Sequence, residues 1–231
     1  MIVVAIDGPS GVGKSTVGKA LAARLDIPYL DTGAMYRAIG LLARRNGVRL
    51  PITESDRVAE LSERADVRVT GSGGNIRTLL DGEDVSREIR QPEVSLYASA
   101  VAAIPRVRRR LAARQRELAL SGGGVLEGRD IGTKVVPEAT AKFFLTARPE
   151  IRANRRFEEL ARKGTPQDLA SVRAEMEARD EADATREDSP LAYDETYLVV
   201  DTSDLGAEEV AERLRSWIVA RQTVDLLRPG V

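Results

Sequence analysis

The sequence predicts an α/β fold in which helices flank a five-stranded parallel sheet. Five short apolar runs alternate with helical patterns along the 231 residues, which is typical of parallel crossover units. The first run leads directly into Gly8–Ser15, which matches GxxxxGK[ST] at every fixed position. This motif narrows the prediction to a P-loop NTPase type of α/β fold. The five core strands are predicted at residues 2–6, 27–30, 124–127, 142–146 and 197–201.

The loop after the first strand has the spacing of a nucleoside triphosphate site. Its glycines let successive backbone N–H groups converge on the phosphates, and the following helix directs its positive end toward them. Lys14 is expected to reach the β- and γ-phosphates, the Ser15 hydroxyl to bind Mg²⁺, and Thr16 to contact a phosphate. The expected triphosphate-binding residues are Gly8, Pro9, Ser10, Gly11, Val12, Gly13, Lys14, Ser15 and Thr16.

Charged residues follow two of the other predicted strands. In an open parallel sheet, ligands bind beyond the carboxyl ends of the strands. The motif DTGAMYR (31–37) comes after the second strand, where Arg37 could hold the phosphate of a second substrate. The motif EGRD (127–130) comes after the third strand. From position alone, a solvated ion pair on a surface turn is the alternative interpretation of Arg129 and Asp130.

Residues 48–104 interrupt the alternation and are predicted to form an insert. A helix with Val58 inward is followed by strands at 67–70 and 76–80, which the loop 71–75 joins into a hairpin. Another helix is expected to begin at Pro92. The insert is therefore predicted to carry a small satellite sheet.

Residues 149–190 are predicted to form a second insert, a lid of two short helices. The first begins at Pro149 and ends near Gly164, and the second follows Pro166. Helical periodicity places on the inner faces Ala153, Phe157, Leu160, Leu169, Val172 and Met176. The arginines at 152, 155, 156, 162, 173 and 179 are expected mostly to face outward.

These elements predict one domain over residues 1–221. Its core comprises 1–47, 105–148 and 191–221, and its last helix runs from Ala207 to Arg221. Residues 222–231 are predicted to be a tail.

The composition excludes several enzyme classes. Cysteine and histidine are absent, which rules out disulfides, Cys/His zinc sites, Ser-His-Asp triads and cysteine nucleophiles. Phosphoryl transfer remains, because its loose transition state needs positioning and positive charge. No apolar run reaches membrane-spanning length and no signal segment precedes the first strand. We therefore expect a soluble, cytoplasmic monomer that does not bind a membrane.

One predicted helix is dense in arginine, with cationic residues at 106, 108, 109, 110, 114 and 116. Such density could indicate nucleic-acid binding. No aromatic residues interleave with these arginines as a stacking platform, and the net charge of the chain is −1. We expect a solvated helix face with Arg108 turned inward, and no nucleic acid as partner.

Six motifs together resemble those of bacterial cytidylate kinases in the nucleoside monophosphate kinase superfamily. In chain order they are GPSGVGKS, LDTGAMYR, DGEDVSREIR, VAAIPRVR, EGRDIGT and ARDEADATR. The first is shared by many triphosphate users, whereas the combination of DTGAMYR, EGRD and RDEADATR is much more selective. The resemblance covers residues 1 to about 220. It implies transfer of the γ-phosphoryl group of ATP to CMP or dCMP with Mg²⁺, and a fold with a nucleotide-monophosphate-binding insert (48–104) and a lid (149–190).

The resemblance also implies roles for matching residues. Arg37, Arg129 and Arg186 resemble the clamp on the CMP phosphate, and Arg156 resembles a lid arginine that approaches the transferred group. With Lys14, the residues implied in catalysis are Lys14, Arg129, Arg156 and Arg186. The residues implied in substrate binding are Thr32, Tyr36, Arg37, Ser99, Arg108, Arg129, Asp130, Arg179, Asp183 and Arg186.

Within that set, Ser99, Arg108 and Asp130 resemble the readers of the base, while Arg179 and Asp183 resemble ribose and phosphate contacts. The chemistry agrees, because a carboxylate can accept from cytosine N4 while a guanidinium donates to N3 or O2. Uracil would oppose its O4 to Asp130, so UMP is predicted to be a poor acceptor. Glu127 stands where the family often has Asp, which makes direct ligation of a metal by this residue less certain.

Two alternatives to this reading stay open at this point. One is a small-molecule kinase with the same core that acts on another nucleotide or on shikimate. The other is a non-catalytic NTP-binding regulatory module whose arginines bind a partner. The Arg/Asp sets in the two inserts suit a small phosphorylated acceptor and argue against the second alternative.

Overall fold

The computed structural model describes residues 1–70 and 76–227, and within these ranges eight strands form two sheets. The strands are β1 (Val3–Asp7), β2 (Tyr29–Asp31), β3 (Val67–Thr70), β4 (Arg77–Leu80), β5 (Glu83–Asp84), β6 (Gly124–Gly128), β7 (Ala141–Thr146) and β8 (Leu198–Asp201). The α-helices are α1 (Lys14–Leu25), α2 (Thr32–Arg45), α3 (Ser55–Arg64), α4 (Pro92–Ala102), α5 (Pro105–Gly122), α6 (Pro149–Arg162), α7 (Leu169–Ala184) and α8 (Ala207–Leu227). The predicted hairpin loop at 71–75 and residues 228–231 lie outside the described chain.

The larger sheet is parallel and has the strand order β2-β6-β1-β7-β8, so the predicted five-stranded parallel sheet is confirmed. Its register places Glu127 of β6 beside Asp31 of β2 and Ile6 of β1. The two chain segments that carry DTGAMYR and EGRD therefore leave the sheet side by side. Both begin next to the loop that follows β1.

Helices cover the two faces of this sheet because side chains alternate along each strand. Val4 and Ile6 of β1 belong to a core cluster with α1 and α8, where Phe143 packs edge-on against Trp217 at 5.4 Å between ring centroids. Val3 and Ala5 belong to a second cluster with α5 and a π-helical turn over Ile131–Val135. This double burial explains why the strands read as continuous apolar runs.

The first insert packs on α2. Strands β3, β4 and β5 form an antiparallel sheet, of which the hairpin β3–β4 was predicted and the short third strand was not. Val58 of α3, Val94 of α4 and Ile39 of α2 share one core cluster. At Gly40 of α2 the contact is close, since a Cβ there would lie 2.9 Å from the Ala98 nitrogen. Helix α4 is thereby packed closely against α2 at Gly40.

Helices α6 and α7 form the second insert and pack on each other through Leu160, Val172 and Met176. The prediction that Phe157 and Leu169 face inward was wrong, since they are 36% and 43% exposed. The contact between the two helices is short, and these residues lie beyond it.

Helix α8 runs six residues past the predicted boundary at 221, to Leu227. Val210, Leu214 and Ile218 are buried as its periodicity predicts. Among the described residues, no helix has the length and apolar character needed to cross a membrane.

Candidate active site

A cleft of about 1220 Å³ lies at the carboxyl edge of the larger sheet, between the P-loop and the two inserts. It is lined by Ser10 to Thr16 of the predicted triphosphate site. It is also lined by every predicted substrate-binding residue and by Arg156, although they come from distant segments: Thr32, Tyr36, Arg37, Ser99, Arg108, Arg129, Asp130, Arg156, Arg179, Asp183 and Arg186. Gly8 and Pro9 are not among the lining residues.

Lys14 is hydrogen-bonded to the backbone of the P-loop that precedes it. Gly8 has φ +146°, and a Cβ there would lie 2.3 Å from the Leu145 carbonyl oxygen, so only glycine fits. Lys14 Nζ donates to the carbonyl oxygens of Gly8 at 2.7 Å and Pro9 at 2.6 Å. Gly8 and Pro9 thus position Lys14 through their backbone. Burial and then nearby Arg129 lower the pKa of Lys14 well below its usual value.

The start of α1 completes the donor side of the cleft. The helix begins at Lys14, directly after the loop, so its unpaired N–H groups and positive dipole face the cleft. An anion bound in the loop would be stabilised by both. The loop and the helix therefore have the properties of a polyphosphate site.

Two oxygen groups at this end of the cleft suit a divalent cation. Ser15 is exposed and lines the cleft. The Glu127 carboxylate is buried near the end of β6 and accepts from the Tyr29 hydroxyl. Hydroxyl and carboxylate oxygens are ligands of Mg²⁺, which keeps waters and takes its other ligands from phosphates. Within the described chain, no cluster of three acidic, His or Cys side chains offers an all-protein metal site.

Asp31 and Arg37 form the first acceptor-side pair. The Asp31 side chain caps α2 by accepting from the Ala34 N–H at 2.9 Å. Its two oxygens also accept from Arg37 Nη2 at 3.1 and 2.9 Å. The cap fixes the carboxylate, and the carboxylate fixes the guanidinium. Thr32, next in sequence, donates its hydroxyl to the Glu127 carbonyl and so ties α2 to β6.

Arg108 and Asp130 form a buried ion pair across the floor of the cleft. Arg108 Nη2 lies 2.7 Å from Asp130 Oδ1, and the two side chains are 4% and 8% exposed. The Arg108 guanidinium also lies 5.7 Å from the centre of the Tyr36 ring. Ser99 of α4 lines the same part of the cleft. This confirms that Arg108 faces inward on the arginine-rich helix α5, and it rules out the surface-turn interpretation of Asp130.

Asp183 of α7 holds two arginines. Its Oδ2 accepts from Arg129 Nε at 2.8 Å and its Oδ1 from Arg186 Nη2 at 3.1 Å. Burial alone would raise the pKa of Asp183, but Arg129, Arg179 and Arg186 outweigh it and hold that pKa below its usual value. The carboxylate therefore stays ionised and keeps both guanidinium groups aimed at the cleft.

The cleft carries more positive charge than its own carboxylates satisfy. Burial and then Arg129 lower the pKa of Arg179 to about 10. Four lining arginines have a buried Nε without a hydrogen-bond partner among the described residues: Arg37, Arg108, Arg179 and Arg186. Buried donors left unpaired are costly, so this arrangement fits an anionic ligand that supplies the missing acceptors.

The expectation that the arginines at 152, 155, 156, 162, 173 and 179 mostly face outward was wrong for four of the six. Arg155 lines the cleft and donates to the Thr202 hydroxyl at 3.0 Å. Arg179 points into the cleft, and Arg152 is 12% exposed and pairs with Asp180. Arg156 lies at the cleft but pairs with Glu159 at 2.9 Å, while Arg162 and Arg173 are exposed as predicted. Periodicity missed the inward positions because it scored apolar residues, whereas this face of the helices is polar.

Sequence reasoning also missed two carboxylates. Asp180 Oδ1 accepts from the Ser10 N–H at 3.0 Å, and Arg152 donates to the Ser10 carbonyl at 3.1 Å, so the second insert is bonded to the P-loop. Asp7, the last residue of β1, is completely buried. Asp180 lies inside the motif ARDEADATR, and Asp7 is a charge at the end of an apolar strand; both were available signals.

Comparisons with known proteins agree with this geometry. The family model described as cytidylate kinase matches residues 4–219. The cytidylate kinase of Caldanaerobacter subterraneus subsp. tengcongensis is 48% identical over 91% of this chain and 92% of its own length. That of Syntrophotalea carbinolica is 44% identical over 96% and 94%.

Among solved structures, an uncharacterized protein from Eubacterium ventriosum shares the fold with a TM-score of 0.53. It is 15% identical and covers 95% of this chain and 99% of that one. This likeness concerns the fold alone. The family match spans nearly the whole chain, and the relatives align over nearly all of their own lengths. The chain belongs to the cytidylate kinase family.

Proposed function

We propose that the protein transfers the γ-phosphoryl group of ATP to CMP or dCMP, giving ADP and CDP or dCDP. The observation that carries this proposal is one cleft with a P-loop at one end and the buried pair Arg108–Asp130 at the other. Buried arginines with unpaired donors lie between them. Such a cleft can hold two nucleotides with their phosphates facing each other.

The donor end binds the triphosphate. Lys14, held by two carbonyl oxygens, and the N-terminus of α1 stabilise the β- and γ-phosphates. Ser15 would hold Mg²⁺, with the Glu127 carboxylate placed to accept from a metal-bound water. The ion, when bound, would neutralise negative charge on the phosphates.

The acceptor end binds the monophosphate. Arg37, Arg129 and Arg186 are each held by a carboxylate, which orients their remaining N–H groups toward the CMP phosphate. Arg179 and Asp183 would contact the ribose and the phosphate. Because the guanidinium groups are placed before substrate arrives, little reorganisation is needed on binding.

The base is selected by hydrogen-bond pattern. Asp130 would accept from cytosine N4, and Arg108 would donate to N3 or O2. Uracil presents O4 where cytosine presents N4, so its O4 would face the carboxylate with no proton between them. A buried mismatch of this kind gives strong discrimination, and UMP is a poor acceptor for that reason.

The transfer step is electrostatic. The acceptor phosphate is already an anionic nucleophile, so no side chain has to act as a strong base. Lys14, Arg129 and Arg186 surround the position of the transferred group with positive charge, and Arg156 joins them once it leaves Glu159. Helices α6 and α7 also exclude water that would otherwise hydrolyse ATP.

An acceptor panel tests the proposal. ADP release is measured with CMP, dCMP, UMP, AMP, GMP and shikimate, for wild type and Lys14→Ala. We expect CMP and dCMP to be the best acceptors and Lys14→Ala to abolish transfer to all of them. Lys134→Ala, at an exposed lysine that is not among the residues lining the cleft, is the matched control and should retain activity.

Another preferred acceptor would point to a different small-molecule kinase, and nucleotide binding without turnover would point to a regulatory module. The monomeric state, the cytoplasmic location and the absence of nucleic acid as a partner remain predictions. Size-exclusion chromatography with light scattering checks the first.

A further inference from the structure

Asp7 is a fully buried carboxylate that does not line the cleft. It ends β1, immediately before the P-loop, and is 0% exposed. Burying a carboxylate is costly unless hydrogen bonds compensate for the lost water. The groups that donate hydrogen bonds to Asp7 therefore show what this carboxylate holds in place.

Both backbone N–H groups that donate to Asp7 belong to the segment that carries Asp130. Its Oδ1 accepts from the Ile131 N–H at 2.9 Å, and its Oδ2 accepts from the Gly132 N–H at 2.9 Å. These two N–H groups open the π-helical turn that directly follows Asp130. Asp7 therefore fixes the backbone one and two residues beyond the side chain that faces Arg108.

Tyr197 completes this anchor from the opposite side. Its buried hydroxyl donates to Asp7 Oδ2 at 2.7 Å. Gly132 is enclosed by it, since a Cβ on Gly132 would lie 2.5 Å from the Tyr197 hydroxyl oxygen. Tyr197 comes just before β8, so the chain that returns from the second insert closes on the same carboxylate.

We propose that Asp7 and Tyr197 are positioning residues for Asp130 and thereby determine acceptor-base selectivity. The two carboxylate oxygens of Asp7 accept from the N–H groups that follow Asp130 and so fix the backbone there. Tyr197 holds the carboxylate in the orientation that both hydrogen bonds require. Neither side chain touches a nucleotide. This inference rests on the proposed function, in which Asp130 reads the cytosine amino group.

The test uses Tyr197→Phe, which removes one hydroxyl and keeps the ring. We expect the KM for CMP to rise about tenfold, the loss that one charge-assisted hydrogen bond accounts for, with the KM for ATP unchanged. The ratio of kcat/KM for CMP over UMP should fall by a similar factor. Tyr193→Phe is the matched control: this neighbouring ring packs on Phe144, is 52% exposed, and should behave as wild type.

Gly132→Ala provides a second, independent variant, because the added methyl group displaces the Tyr197 hydroxyl from the other side. It should reproduce the change in the CMP/UMP ratio. If Tyr197→Phe lowers kcat for both acceptors equally, or leaves the ratio at the wild-type value, the positioning role is refuted. Failure of wild type to phosphorylate CMP would instead refute the proposed function, so the two outcomes are distinguishable.

Discussion

The Ser10 hydroxyl of the P-loop accepts a hydrogen bond from Arg129 Nη2 at 3.1 Å, which joins the P-loop to the proposed clamp on the acceptor phosphate. Arg129 is in turn paired with Asp183, and Asp183 with Arg186. On its backbone, Ser10 is bonded to Asp180 and Arg152 of the second insert. Ser10, a residue of the P-loop, therefore contacts both Arg129 and the second insert.

Ser10→Ala removes only the hydroxyl and leaves both backbone contacts in place. We expect CMP affinity to respond less to a bound non-hydrolysable ATP analogue, with the coupling factor reduced about tenfold because one hydrogen bond to a charged group is lost. Calorimetric titration of CMP with and without the analogue measures this factor. Ser121→Ala is the control, because this exposed hydroxyl donates to the nearby Leu118 carbonyl and lies away from the cleft lining. An unchanged coupling factor in Ser10→Ala would show that this contact does not link the sites.

Asp130→Asn alters the group proposed to read the base while preserving its shape. The amide can present either an oxygen or an NH₂ group to the base, so the CMP/UMP ratio of kcat/KM should fall at least tenfold. The KM for ATP should stay near the wild-type value, because Asp130 lies at the acceptor end. Steady-state kinetics with both acceptors decides this. Uniform loss of activity with every acceptor would mean that Asp130 takes part in the transfer itself.

Asp7 gives a pH dependence of stability with a definite sign. Burial raises its pKa from 3.8 to about 6, against the opposing hydrogen bonds from Gly132 and Ile131. The folded state therefore binds the proton more tightly than the unfolded state. Its contribution to the free energy of unfolding is fully present below pH 3.8 and is lost as the pH rises through about 6, a change of about 3 kcal/mol.

Urea unfolding of wild type and Asp7→Asn between pH 4 and 8 measures this contribution. Relative to the variant, wild type should become less stable as the pH rises from 4 to about 6, and the difference should then level off. A difference that is flat across the range, or that has the opposite slope, would show that the pKa of Asp7 is not raised.

Gly40→Ala tests how closely the first insert packs on α2. The added methyl group would lie 2.9 Å from the Ala98 nitrogen and 3.0 Å from Tyr97, so α4 must shift, at a cost of about 1–3 kcal/mol in the free energy of unfolding. Gly122→Ala, at a helical position with open space around it, should leave stability unchanged or slightly increase it. Chemical denaturation compares the two. Equal stabilities would indicate that the α2–α4 contact is looser than described.

Much of the fold was predictable because strands that are buried on both faces appear in the sequence as short apolar runs. The buried strands β1, β6 and β7 are short apolar runs, and the GxxxxGK[ST] spacing identifies the loop after β1. The small third strand β5 was missed because two residues, Glu83 and Asp84, carry no periodic pattern. Phe157 and Leu169 were misplaced because the interface between α6 and α7 is shorter than the apolar pattern suggests.

Motifs predicted which residues belong to the site. They did not predict how ion pairs and hydrogen bonds between distant segments orient those side chains. The motifs identified Arg129 and Asp183, but only the fold shows that one carboxylate orients two guanidinium groups. Asp7 and Asp180 act through backbone N–H groups of distant segments, and no local pattern encodes such contacts. Periodicity assigns polar side chains to solvent by default, which is why it did not predict the inward direction of Arg152 and Arg179, although the motif resemblance had placed Arg179 at the substrate site.

The central claim is that the γ-phosphoryl group of ATP goes to CMP, and ATP labelled in that group tests it most directly. The enzyme is incubated with labelled ATP and CMP, and the products are separated by chromatography. We predict that the label appears in CDP, that little of it appears as inorganic phosphate, and that consumption of labelled ATP requires CMP. Label released as inorganic phosphate at a rate independent of CMP would contradict the claim.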